Sequence, residues 1–209
     1  FALPLGVHAR NPLLPILCIP RLMATAATYT TQLQAGLGMV AETLELLRIW
    51  EHGMIPSRLA DRAVQSGVFS RTTARRTRNL AVEMFAPRYL NQDGVAADRL
   101  KFLSEQRVPA DLLSQLCFLY TARAQRVFAD FVTDVFWPKY HAGAMSLSRK
   151  EAETFIRQAM DAGRMHARWA ESTVRRVSGY LMGCCADFDL LAATGRSDRA
   201  IQRFRIRPD

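Results

Sequence analysis

Leu33, Leu37, Val40, Leu44 and Leu47 follow a 4-3-4-3 spacing that Trp50 continues. Apolar positions at this spacing fall on one stripe of a helix. The pattern predicts a helix from a Thr30 or Thr31 cap to about Glu51, stopped at His52-Gly53. Ala35, Gly36 and Gly38 would let another backbone approach it closely. A second helix is expected from Ser57 to Ser66, burying Leu59, Ala63 and Val64 and broken at Gly67. Val68 and Phe69 form an apolar plug before Ser70 caps a third helix, which buries Ala74, Thr77, Leu80, Ala81, Met84 and Phe85 and stops at Pro87.

Beyond the turn Asn91-Gln92-Asp93-Gly94, a helix is expected over 95–106. Pro109 then opens a nearly continuous helix to Trp137, ended by Pro138; its wide apolar surface predicts a central, buried position. Ser148-Arg-Lys-Glu151 reads as a capping box opening a helix that stops at Gly163. The last helix runs from Glu171 or Ser172 to about Phe188, burying Val174, Val177, Leu181 and Cys184. Gln202, Phe204 and Ile206 alternate with Arg203, Arg205 and Arg207, which suggests a short strand or arm. The expectation is an all-α, compact multi-helix bundle with a short C-terminal strand or arm and no internal repeat.

Charge adds to this picture. Over 209 residues the net charge is +9 and the pI about 10.0, a balance that favours a polyanion. Arg71, Arg75, Arg76 and Arg78 lie between Ser70 and Pro87 with one acid, Glu83. Arg71, Arg75 and Arg78, spaced i, i+4 and i+7, would share one helical face. Guanidinium groups held in a row suit phosphate, because each donates two parallel hydrogen bonds. Arg175, Arg176, Arg203, Arg205 and Arg207 form a candidate second surface. The alternative is a solvated basic face. Ala63 and Gly67 carry the spacing of a helix-turn-helix, but Thr73 and Arg76 fall where that motif needs core residues.

The four cysteines contain no CxxC pair, and Cys184-Cys185 lie in an apolar helical stretch, a reduced, cytoplasmic pattern. Leu13 to Ile19 is apolar but contains Pro15 and falls well short of the roughly 20 residues of a membrane span. Residues 1–22 read as an N-terminal extension outside the core fold, although they could pack on its surface. Met23 is a plausible natural start, and 23–209 is expected to form a single domain.

Four segments, YTTQLQAGLGMVAETLELLRIW, FAPRYL, FVTDVFWPKYHAG and WAESTVRRVSGYLMGCCADFDLL, together resemble the BrxA family of bacteriophage exclusion (BREX) defence systems. The resemblance covers about 27–207. It implies antiviral defence, other BREX proteins as partners, and an all-α fold similar to the RNA-binding NusB proteins. It supplies no catalytic motif.

No P-loop, GxSxG or HExxH sequence is present, and the four histidines are scattered. A metal site from His166, Cys184 and Cys185 is conceivable; buried structural cysteines explain the pattern better. Neither catalysis, cofactor nor metal is expected. The reading is a non-enzymatic, cytoplasmic BREX accessory protein that binds double-stranded DNA through phosphates, with no membrane. The rivals are a protein–protein adaptor and a NusB-like RNA binder.

Overall fold

The computed structural model describes residues 28–35, 38–194 and 197–204. The expected N-terminal extension, Arg205 and Arg207 lie outside these. Among the described residues, eight helical stretches surround one core, with a two-stranded antiparallel sheet at its edge. The all-α expectation holds.

The first segment departs from the sequence pattern. A 3-10 turn at Gln32–Ala35 and a helix at Val40–Ile49 replace one long helix, and Met39 between them has left-handed φ 48°. The break lets the backbone at Gly38 press against the last helix. A Cβ on Gly38 would meet Asp187 Cβ at 2.4 Å, and the Gly38 N–H donates to Asp187 Oδ2 at 2.9 Å. Close approach at this glycine was therefore legible from sequence, while the interruption was not.

The helix Pro56–Gln65 has proline in its first turn, so Ile55, not Ser57, is its N-cap residue. Gly67 ends its connection outward with φ 62°. The next helix begins at Ala74, with Thr73 Oγ1 accepting from the Arg76 N–H at 3.2 Å. The cap is thus three residues later than Ser70.

Neither Pro87 nor Pro138 stops its helix. A proline lacks the N–H for the carbonyl four residues back, and its ring clashes with that carbonyl. Both helices widen into a π turn immediately upstream, at Leu80–Phe85 and Val132–Phe136. The Ala86 N–H then donates to Ala81 O and Trp137 N–H to Val132 O, each five residues back, leaving room for the proline ring. Helical geometry continues through Ala86–Tyr89 and Trp137–His141. The two sites share a pattern: Phe85-Ala86-Pro87-Arg88-Tyr89 and Phe136-Trp137-Pro138-Lys139-Tyr140. In each, phenylalanine touches tyrosine one turn on, with ring centroids 5.0 and 5.9 Å apart. This short internal repeat was not expected.

The long central helix is two, Ala110–Ala124 and a second from Arg126, because Gln125 leaves helical geometry at φ −120°, ψ 88°. The expected capping box is present: Ser148 Oγ accepts from the Glu151 N–H, and Glu151 accepts from the Ser148 N–H. Helix Arg149–Asp161 packs on Glu171–Asp187, and Ala152, Phe155, Ile156, Val174, Val177 and Leu181 are all buried in the core. The C-terminal strand is Asp198–Ala200, earlier than the alternating stretch suggested. It pairs with Ser146–Ser148, with buried Leu147 opposite Arg199. Phe204 then anchors the tail, 5.7 Å from the Trp137 ring and 6.3 Å from Phe118.

Candidate nucleic-acid interface

The arginine cluster is built on the turn and helix that follow Gly67. Val68 and Phe69 are half-buried against the core, as the plug reading required. Thr72 pins the turn: its N–H and hydroxyl both donate to Phe69 O, at 2.9 and 3.0 Å, and the hydroxyl also meets Thr77 Oγ1 at 3.0 Å. Arg71 lies in this turn, before the helix, so Arg71, Arg75 and Arg78 do not share one helical face. Arg71, Arg75 and Arg78 are exposed and Arg76 is half-buried.

The first turn of this helix carries Arg75 and Arg76 and no acid. Cations there oppose the helix dipole, whose N-terminal end is positive and favours anions. The arrangement costs local stability and concentrates positive charge at the start of the helix. Arg71 and Arg75 have no ion-pair partner among the described residues. Arg78 is different: its Nη2 is 3.6 Å from Asp61 Oδ1 on the preceding helix. Eight residues, 66–73, separate helices Pro56–Gln65 and Ala74–Asn79. A helix-turn-helix joins its helices by three or four, and Thr73 serves as a cap, so that motif is not formed.

Arg175 and Arg176 are exposed near the start of Glu171–Asp187, and Arg203 is exposed in the C-terminal stretch. The Arg175 carbonyl accepts from Arg149 Nη2 at 2.8 Å, which places Arg149 beside this group, a basic residue the sequence reading missed. Arg58, exposed on the helix that packs against the arginine helix, was also missed. The first group sits on the packed helices Pro56–Gln65 and Ala74–Asn79, whereas Arg149, Arg175 and Arg176 sit on the packed pair Arg149–Asp161 and Glu171–Asp187.

Much of the remaining positive charge is tied up internally. Arg164 of the basic linker donates to Tyr29 Oη at 3.0 Å and Asp130 Oδ2 at 3.3 Å, and lies 3.8 Å from Asp134. Arg126 holds the other Asp130 oxygen at 2.8 Å. The Tyr29 hydroxyl donates to Asp130 at 2.7 Å; burial first, then this bond, raises its pKa. Arg168 pairs with Asp161, Arg62 with Glu51 and Arg157 with Glu171. Arg88 is only 4% exposed and donates to Gly38 O at 3.4 Å.

Cys117, Cys184 and Cys185 are buried; burial pushes the Cys117 thiol up to about 11 and raises the other two as well. These are not reactive thiolates at neutral pH. Among the described residues no cluster of histidine, cysteine or carboxylate side chains could hold a metal, and no helix is long and apolar enough to cross a membrane.

The four segments that suggested a family are distributed through this one core, and the BrxA family model matches residues 27–209. The chain belongs to the BrxA family. BrxA proteins are components of BREX phage-defence systems, so the chain is one such component and other BREX proteins are its partners. No curated protein and no solved structure matches the chain.

Proposed function

We propose that this BrxA-family protein is a non-enzymatic component of phage defence that holds double-stranded DNA through arginine–phosphate contacts. The supporting observation is the helix beginning at Ala74: three arginines in its first two turns, Arg71 just ahead, and no acid in the first turn. A helix start that violates its own dipole preference is a typical place for function to override stability. Sequence preference is low on this reading. Asn79 is the one amide on Ala74–Asn79, and it is half-buried, whereas base recognition needs exposed side chains reaching base edges. Binding to a random-sequence duplex in a salt series tests it. With about six phosphates neutralised, affinity should fall roughly a thousandfold between 50 and 200 mM salt. Binding insensitive to salt, or absent at low salt, would refute the reading.

A protein–protein adaptor is the second reading. It draws on exposed Phe102, Leu119 and Met145, which no phosphate contact explains. An adaptor would hold a partner BREX subunit without nucleic acid. RNA binding, implied by the resemblance to NusB proteins, is distinguished by competing RNA against DNA for the same protein.

A further inference from the structure

A compact pocket of about 160 Å³ lies where Ala86–Tyr89, the turn at 91–94 and the end of helix Ala110–Ala124 meet. Its polar lining is Arg88, Asn91, Gln92, Tyr120 and Arg123; the rest of the wall is proline and alanine, with no acid. Asp93, next to Gln92, lines the neighbouring groove instead. Gln92 and Arg123 are exposed and Tyr120 is half-buried, so a ligand can reach all three. Their side chains have no hydrogen-bond or ion-pair partner among the described residues. Arg88 differs: its guanidinium is buried and donates to Gly38 O, so its part here is charge rather than contact.

The pocket is held in shape from several sides. Asn91 Nδ2 donates to Pro87 O at 2.7 Å. Gln92, Asp93 and Gly94 all have left-handed φ, at 55°, 57° and 79°, although two of them are not glycine. Strained backbone of this kind persists only where its surroundings hold it, and it clusters at ligand clamps. Here Gly94 lies so close to Trp50 that a Cβ would come within 2.8 Å of Cζ2. Tyr120 rests edge-on against buried Tyr89, with ring centroids 5.9 Å apart. Arg123 suits the last turn of its helix on dipole grounds alone. That preference does not bring two amides, a phenol and a second arginine to the same pocket.

We propose that this pocket binds a phosphate monoester, with Arg123 donating to its oxygens, Gln92 and Tyr120 adding neutral donors, and Arg88 balancing charge from behind. Two guanidinium charges match the roughly −1.5 to −2 of a monoester at neutral pH better than the single charge of a carboxylate. The volume is well below the roughly 300–1,000 Å³ of sites for drug-sized ligands, which favours a compact group. A backbone diester continues on both sides and needs an open groove, whereas a monoester ends its chain and fits a pocket. The group can come from a small free phosphate or from the 5′-phosphate end of a nucleic-acid strand. The site is separate from the arginine helix and does not depend on the duplex reading.

The test titrates inorganic phosphate into the full chain at ionic strength held constant with chloride, and follows the Arg123 Nε–H and the Gln92 side-chain amide by ¹H–¹⁵N resonance. Both should move saturably. Arg123→Gln, at an exposed position, should keep the parent's circular dichroism and melting curve while binding phosphate at least tenfold more weakly. Arg71→Glu/Arg75→Glu/Arg78→Glu should leave the pocket's response unchanged, which separates this site from the duplex reading. Resonances that do not respond, shifts confined to 71–79, or an Arg123→Gln variant that binds like the parent would each overturn the proposal. A 5′-phosphorylated thymidine dinucleotide then distinguishes the sources. Binding at least threefold tighter than inorganic phosphate assigns the pocket to a strand end; weaker binding assigns it to a small free phosphate. A dinucleotide lacking the 5′-phosphate that shifts the same resonances equally would overturn the monoester assignment.

Discussion

Asp61 Oδ1 lies 3.6 Å from Arg78 Nη2, joining the helix Pro56–Gln65 to the arginine helix. Both side chains are more than half exposed, so the pair adds little to stability. Its larger effect is on potential, because the carboxylate partly cancels the positive charge that a phosphate would meet.

Asp61→Asn should therefore tighten duplex binding by about two- to threefold at low salt, with stability changed by no more than about 0.5 kcal/mol. Titration of both proteins against one duplex checks this. Weaker binding by the variant would mean that Asp61 orients Arg78 and does not oppose the ligand.

Arg88 and Lys139 hold equivalent places in the two Phe-x-Pro-basic-Tyr turns, yet their roles diverge. Lys139 pairs with Glu151 at the surface, while Arg88 is buried beside Gly38. Arg88→Met should cost about 3 kcal/mol through the buried polar groups it leaves behind. For a chain of this size that lowers Tm by roughly 6–12 °C. Lys139→Met should cost about 1 kcal/mol or less. Thermal melts of both variants would separate the roles, and equal losses would contradict them.

Gly38→Ala should also destabilise, by about 1–3 kcal/mol, since the new methyl would lie 2.4 Å from Asp187 Cβ. Denaturant unfolding measures this directly. A neutral result would show that the backbone between the first two elements can move away from the last helix.

Alkaline pH should weaken the fold. Burial raises Cys117 to about 11 and raises Cys184, Cys185, Tyr89 and Tyr29 as well. These groups stay protonated in the folded chain after the unfolded chain has released its protons, near 8.5 for thiols and 10 for tyrosine. Above pH 8.5 the native state thus binds more protons than the unfolded state, and stability falls as pH rises. Tm measured from pH 7 to 11 should decline from about pH 8.5. Cys117→Ala/Cys184→Ala should flatten the first part of that decline; an unchanged slope would exclude the thiols as its source.

The features legible in sequence were those set by neighbours in the chain. Ser148 and Glu151 announce their capping box within four residues, and Gly38 announces a close approach because only it lacks a side chain. Pro87 and Pro138 misled, because one π turn absorbs the steric conflict and local rules do not foresee it. The partner strand Ser146–Ser148 is three residues long, too short for an alternating pattern to register. The basic linker at Arg164 looked free, since the acids that neutralise it, Asp130 and Asp134, are at least thirty residues away in sequence. For the candidate interface, the arginines were visible. Their arrangement was not, because the cap at Thr73 rather than Ser70 moves Arg71 off the helical face.

The most direct measurement is duplex binding across a salt series for the parent and for Arg71→Glu/Arg75→Glu/Arg78→Glu, after circular dichroism shows both folded. With three phosphate contacts removed, the log–log salt slope should shrink by about 2.7 and affinity at low salt should drop at least about a hundredfold. A variant that binds as tightly as the parent, with the same slope, would contradict the account and move the search to Arg149, Arg175, Arg176 and Arg203.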